Sequence, residues 1–194
     1  MTDFRSLTLY VVRHGECEHN EAGWAAGQDD SPLTARGREQ ARANGRVLRE
    51  VAGDVAALDY FASSLHRACN TMELLREEIG LPAAGYRADG RLMEGDLGDD
   101  ARISTGDFLR HPGHLADPWN YVRPNGESQA MIYERVGRFL LAVVRDSVIV
   151  THALPVIMLR AHYLGLSPAQ AMGYDMGNAG VLRLSAGTEA RFGH

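Results

Sequence analysis

The chain has 194 residues, 45% of them hydrophobic and 23% charged, with a formal net charge of -5. That composition suits a soluble domain with a real core, and it excludes a general nucleic-acid surface, which needs a broad basic face. No run approaches the roughly 18–20 apolar residues of a membrane span, and two cysteines, Cys17 and Cys69, supply no disulfide framework, so a reducing, cytoplasmic setting is expected.

Residues 7–12 form a short apolar run rich in β-branched side chains, the pattern of a strand buried on both faces. The run stops at Arg13-His14-Gly15-Glu16, which delivers a cation and an imidazole to a strand end, where ligands of open α/β folds sit. Residues 17–31 are polar and read as loop, and Pro32-Leu33-Thr34 then opens a helix with Thr34 as its N-cap. In that helix Ala41, Gly45, Leu48 and Ala52 fall at helical spacing, and their small size predicts close approach to the sheet. Residues 58–63 read as a second strand. The helix after it places Ala68, Met72, Leu75 and Ile79 on one face and ends at Gly80 and Pro82.

Glycine and proline interrupt residues 87–126 throughout, which predicts a small, irregular, lid-like excursion over one end of the sheet. Beyond it, Ser128 caps a helix with Ile132, Val136, Phe139, Leu140 and Val143 on its buried side. Residues 148–151 form a third strand with His152 at its end, residues 154–164 an apolar helix with Pro155 tolerated in its first turn, and residues 181–184 a last strand. This alternation predicts an α/β three-layer sandwich, a mainly parallel sheet covered by helices on both faces, in one domain spanning residues 1–194. The carboxyl ends of parallel strands share one rim, so Arg13-His14, residues 63–67 and Thr151-His152 are expected to converge there.

The groups gathered at that rim suit a phosphoryl group. Arginine guanidinium matches non-bridging phosphoryl oxygens with paired donors in a plane, which gives Arg13 and Arg67 binding roles. His14 as a nucleophile must be neutral. Flanking positive charge disfavours its protonation, and a backbone carbonyl such as that of Gly15 would hold its second ring nitrogen. His152 is then a donor to phosphoryl oxygens as they gain charge. The leaving oxygen needs a proton, for which Glu94 is the candidate. Asp96, two residues on, would point to the same side in an extended segment and stands as a substitute.

His14, Cys17 and His19 lack a fourth partner for a metal, so neither metal nor cofactor is expected. His19, His66, His111, His114 and His162 have no assigned partner. Trp119, Tyr121, Arg110 and Arg123 in the excursion suit substrate contact and surface packing equally.

The segments Arg13-His14-Gly15-Glu16, Leu33-Thr34-Ala35-Arg36-Gly37, Ser63-Ser64-Leu65-His66-Arg67-Ala68, Met93-Glu94, Gly126-Glu127-Ser128 and Thr151-His152 together resemble the histidine phosphatase superfamily, in its phosphoglycerate-mutase-like branch. The resemblance covers residues 7–184. It implies phosphorylation of His14, phosphate contacts from Arg13, Arg67 and His152, an acid/base role for Glu94, and a further phosphate contact from Asn20. Cys17 stands where threonine or serine is common in that family and Ala153 where glycine is frequent; neither removes a group the chemistry requires. The compact excursion favours a metal-independent phosphomonoesterase acting through a phosphohistidine. A phosphoglycerate-type mutase and a silent phosphoryl-binding module are the alternatives. The expected partner is a small phosphorylated substrate, with a phosphoprotein also open, and neither nucleic acid nor membrane is expected. Oligomeric state and physiological substrate are not legible from the residues.

Overall fold

The computed structural model describes residues 3–193, except for the side chain of His114. The chain enters through β1 (Leu9–Arg13), a short α1 (Glu18–Glu21) and a two-residue strand β2 (Trp24–Ala25), then α2 (Ala35–Val51). It continues through β3 (Asp59–Ser63), α3 (His66–Glu78), β4 (Arg87–Asp89), β5 (Ile103–Ser104), α4 (Thr105–Arg110) and α5 (Pro112–Ala116). The last part holds α6 (Gln129–Leu140), β6 (Ser147–Thr151), α7 (Ala153–Leu164), α8 (Pro168–Ala171), β7 (Val181–Ser185) and β8 (Thr188–Phe192).

Six strands form one sheet in the order β4-β3-β6-β1-β7-β8, and β2 pairs with β5 in a separate ribbon. The four strands β4, β3, β6 and β1 are mutually parallel, whereas β7 and β8 run antiparallel at one edge. This is the mainly parallel α/β sandwich that the alternation of elements predicts.

The two faces follow from the period of two in each strand. Leu9, Val11 and Ile149 point to a core closed by Ile132, Val136 and Phe139 of α6 and by Val156 and Leu159 of α7. Tyr10, Val12, Val148 and Val150 point the other way, to a core closed by Leu48 of α2 and by Ala68, Met72 and Leu75 of α3. Continuously apolar strands therefore mark burial on both sides. Thr34 and Ser128 cap α2 and α6 as expected, accepting from the backbone N–H of Gly37 and Met131 at 3.0 and 3.3 Å.

Three sequence expectations need correction. Residues 87–89 belong to the sheet as its parallel edge strand, so the excursion begins at Gly90; three residues are too few to display a period. A hairpin strand, β8, follows β7 through a turn at Ala186 and Gly187, both with positive φ (49° and 72°), as a tight hairpin turn requires. Its mostly exposed side chains hide it. Gly45 permits close packing on a helix rather than on the sheet: a Cβ there would stand 2.8 Å from the Leu75 carbonyl oxygen of α3.

Candidate active site

The rim of the parallel strands opens into a cleft of about 240 Å³, with Arg13, His14, Asn20, Arg67 and Glu94 among its lining residues. Register explains the gathering. Arg13 is paired with Thr151 and Ala62 with Val150, so β1, β3 and β6 end together, with Ser63 level with Thr151 and His14 level with His152 one residue on.

His14 is buried, with Nδ1 2.7 Å from the Gly15 carbonyl oxygen. A ring that donates from Nδ1 keeps its Nε2 lone pair for attack. The backbone around it is held on both sides, by the His14 N–H donating to Thr151 O at 2.9 Å and by Asn178 Nδ2 donating to His14 O at 2.8 Å. Burial first, then the guanidinium charges of Arg67 and Arg13, hold the imidazole pKa well below its ordinary value, against a smaller upward pull from Gly15 O. The sequence argument rested on flanking charge; desolvation is the larger cause.

Gly15 contributes close packing. A Cβ on Gly15 would lie 2.1 Å from Gly37 O, and one on Gly37 1.9 Å from Glu16 O, so the first turn of α2 rests directly on the loop after β1. Glu16 anchors that contact. It accepts from Thr34 Oγ1 at 2.9 Å and from Arg36 Nη1 at 3.2 Å, and takes no place in the cleft lining.

Arg67 is 3% exposed and tethered by the loop after β2. Its Nη1 donates to Asp29 O at 2.9 Å and to Asp30 Oδ1 at 3.1 Å, and its Nη2 to Gly27 O at 2.6 Å. Arg13 is freer: it approaches the exposed Asp175 at 3.9 Å, and among the described residues its buried Nε has no hydrogen-bond partner. Asn20 spends its Oδ1 on the backbone N–H and the thiol of Cys17, both at 3.3 Å, which leaves its Nδ2 donors for a ligand.

His152 forms the floor behind His14, fully buried, with ring centroids 4.9 Å apart. Its Nε2 lies 2.7 Å from Ser63 Oγ and its Nδ1 has no partner. Burial, followed by the charge on His14 and the nearby arginines, lowers its pKa well below the ordinary value.

Glu94 lines the cleft from the start of α7, where its carboxylate accepts from the backbone N–H of Ala153 at 3.1 Å and of Leu154 at 3.3 Å. Asp96 is not in the lining. Residues 94–97 form no strand, so the two carboxylates do not share a side, and Asp96 instead accepts from Gly98 N–H at 2.9 Å. Sequence reasoning missed what steadies Glu94. Arg135 donates to Glu94 O at 3.0 Å and Arg91 O at 2.8 Å, and grips Glu127 through Nε and Nη2 at 2.9 and 3.0 Å. The Gly126-Glu127-Ser128 segment thus braces the acid-bearing loop.

The excursion residues singled out from the sequence stay out of the lining. Trp119 packs on Tyr133, Tyr121 stacks on His111, Arg110 pairs with Asp107, and Arg123 lies over Phe108. Trp24, Phe108 and Leu109 line the cleft instead. A tryptophan in a polar loop between Gly23 and Gly27 was the available signal. Among the remaining histidines, His66 approaches Asp30, His19 approaches Asp29, and His162 contacts Tyr133 O, whereas the side chain of His114 lies outside the described residues. Among the described residues no three His, Cys, Asp or Glu side chains gather so as to hold a metal ion.

This fold and rim define a class. Residues 9–191 match the model of the histidine phosphatase superfamily (branch 1), and the chain belongs to that family. Its relatives carry two kinds of name. It is 31% identical over 153 residues to a 2,3-bisphosphoglycerate-dependent phosphoglycerate mutase of Rhizobium rhizogenes, covering 74% of this chain and 70% of that one. It is 29% identical over 176 residues to an adenosylcobalamin/alpha-ribazole phosphatase of Escherichia coli, covering 86% and 83%. Among solved structures, a mycobacterial glucosyl-3-phosphoglycerate phosphatase in complex with VO3 superimposes with a TM-score of 0.74 at 28% identity, covering 92% of each chain. No helix among the described residues is long and apolar enough to cross a membrane.

Proposed function

We propose that the protein is a phosphomonoesterase that works through a phosphohistidine on His14. The observation that carries this reading is the meeting, in one cleft, of a buried imidazole oriented by Gly15 O, two arginines and a carboxylate. In the first step His14 Nε2 forms a bond to phosphorus while the ester P–O bond breaks, and Glu94 gives its proton to the leaving oxygen. In the second, water attacks phosphorus as Glu94 takes its proton, and the N–P bond breaks to release phosphate. Arg13, Arg67 and the Asn20 amide hold the non-bridging oxygens. His152, behind His14, supports the charge that grows on them. The steps call on no metal. The substrate is a small phosphorylated molecule rather than a nucleic acid, in keeping with the names of the relatives and the acidic chain. The two free cysteines suit a reducing, cytoplasmic compartment.

The test is hydrolysis of 4-nitrophenyl phosphate with and without a chelator. We expect chelation to leave the rate intact, an acid-labile phosphoenzyme to be trapped, and His14→Ala to lower the rate on the order of 10⁴-fold. Abolition by the chelator, or a His14→Ala variant at full rate, refutes the reading. The second reading, phosphoglycerate-type mutase, is favoured by the 31% identity to a mutase and shares the first half-reaction. Isomerisation of 3-phosphoglycerate faster than phosphate release would establish it. Tight phosphate binding without turnover would mark a silent binding module.

A further inference from the structure

The lining of the cleft divides by chemistry. At one end stand Arg13, His14, Asn20 and Arg67; the rest is mostly apolar, with Trp24, Leu97, Phe108, Leu109 and Leu154 as its large members. Trp24 and Leu109 remain 44% and 53% exposed, so the apolar surface they give the cleft is open to a ligand.

Several contacts fix this apolar wall relative to the phosphate end. The β2–β5 ribbon pairs Trp24 with Ser104, Thr105 N–H donates to Gly23 O at 2.9 Å, and Arg102 N–H donates to Ala25 O at 2.9 Å, joining residues 23–25 to the start of α4. The same loop supplies Gly27 O and Asp29 O to Arg67, and Gln28 Nε2 donates to Glu94 O at 3.1 Å. One loop therefore carries part of the apolar wall, the tether of Arg67 and a tether of the Glu94 loop. A group leaving from phosphorus beside Glu94 meets Leu154 in the same lining.

Charge narrows the choice further. Among the described residues lining the cleft, the only arginines or lysines are Arg13 and Arg67, at the phosphate end. The arginines of the excursion are engaged elsewhere: Arg91 with Asp89, Arg102 with Asp29, Arg110 with Asp107, and Arg123 buried over Phe108. A second phosphate or a carboxylate on the substrate would be desolvated against apolar side chains without a cation.

We infer that the substrate is a monophosphate ester of an uncharged, ring-bearing alcohol, with the ring against Trp24, Phe108 and Leu109. This rests on the phosphatase reading and names the substrate class of the same site. The test compares kcat/KM for 2-phenylethyl phosphate with that for 3-phosphoglycerate, with glycerol 2-phosphate as an uncharged polar reference; all three are alkyl esters, so leaving-group chemistry does not dominate the comparison. The wild-type ratio of 2-phenylethyl phosphate to 3-phosphoglycerate should be at least tenfold. Trp24→Ala should lower that ratio at least fivefold with its thermal midpoint retained. Leu109→Arg, at an exposed position that tolerates charge, should shift selectivity toward 3-phosphoglycerate. A wild-type ratio at or below one, or a ratio unmoved by both variants, overturns the inference and leaves the phosphatase reading standing. No turnover of any of the three esters, and no acid-labile phosphoenzyme, overturns both.

Discussion

The sheet rim and the excursion over it are built in opposite ways. At the rim, His14, Arg67 and His152 are 3%, 3% and 0% exposed; His14 and His152 follow directly on the paired parallel strands β1 and β6, and Arg67 stands in the first turn of α3 after β3. In residues 90–126 the ordered pieces are short, and Arg91, Arg102, Arg110 and Arg123 approach Asp89, Asp29, Asp107 and Asp100 in turn. Buried groups on rigid strands hold reacting atoms at set distances, whereas short surface elements tolerate change in the shape they present. On the proposed reading the rim carries the reaction and the excursion shapes what is admitted to it.

Breaking the rim should cost most. Arg67→Met removes a charged partner of the phosphoryl oxygens, each such hydrogen bond contributing about 1.5–3 kcal/mol, so kcat/KM should fall about a thousandfold. It also removes the Arg67 guanidinium from Asp30, which keeps its His66 contacts, and a melting curve measured beside the kinetics separates binding loss from unfolding. A fall below tenfold in a folded variant would remove Arg67 from the phosphate contacts.

Glu94→Gln keeps one of the two oxygens that accept separately from the N–H groups of Ala153 and Leu154, and cannot deliver a proton. We expect a loss of about 10²–10³-fold on an alkyl phosphate, in the range of general acid–base catalysis, and a smaller loss on 4-nitrophenyl phosphate, whose leaving group needs no proton. Equal losses on both esters would argue for a structural role.

Arg135→Met tests the join between the two regions, since Arg135 holds the Glu94 loop and Glu127 together. Stability should drop by about 3 kcal/mol, the cost of breaking a buried pair, as measured by urea denaturation. Arg135→Lys should recover little, because an ammonium cannot reproduce the planar two-atom grip on Glu127.

The smallest effect is one of pH. His14 and His152 are held neutral in the fold, with pKa values well below the ordinary one, while in the unfolded chain they protonate near about 6.5. The unfolded state then binds more protons at low pH, so stability is full above about pH 6.5 and falls as the pH drops from there toward the folded values. Each histidine should contribute a slope approaching about 1.4 kcal/mol per pH unit, and His152→Gln should remove one of the two. Stability that rises on acidification through this window would contradict the burial of these rings as neutral groups.

Much of this was legible in the residues. Apolar runs at 7–12 and 148–151, with helical periods between and after them, determined the sandwich, and because parallel strands end on one side they also determined that Arg13, His14, Arg67 and His152 meet. Local pattern suffices there, since each strand repeats every two residues and each helix about every 3.6. The Thr34 and Ser128 caps were readable for the same reason: a cap is chosen by the residues within one turn of it. What reached across the chain was not readable. The brace of Arg135 on Glu94, the seat of Gly15 on Gly37, the separation of Glu94 from Asp96 and the placement of Trp24 beside Phe108 and Leu109 all depend on contacts between segments distant in sequence or on an irregular backbone. Such contacts are set by packing and backbone hydrogen bonding, which leave no periodic mark. The sequence by itself determined which groups gather at the rim, and only the tertiary structure decided which carboxylate faces the cleft and what surface lies beside it.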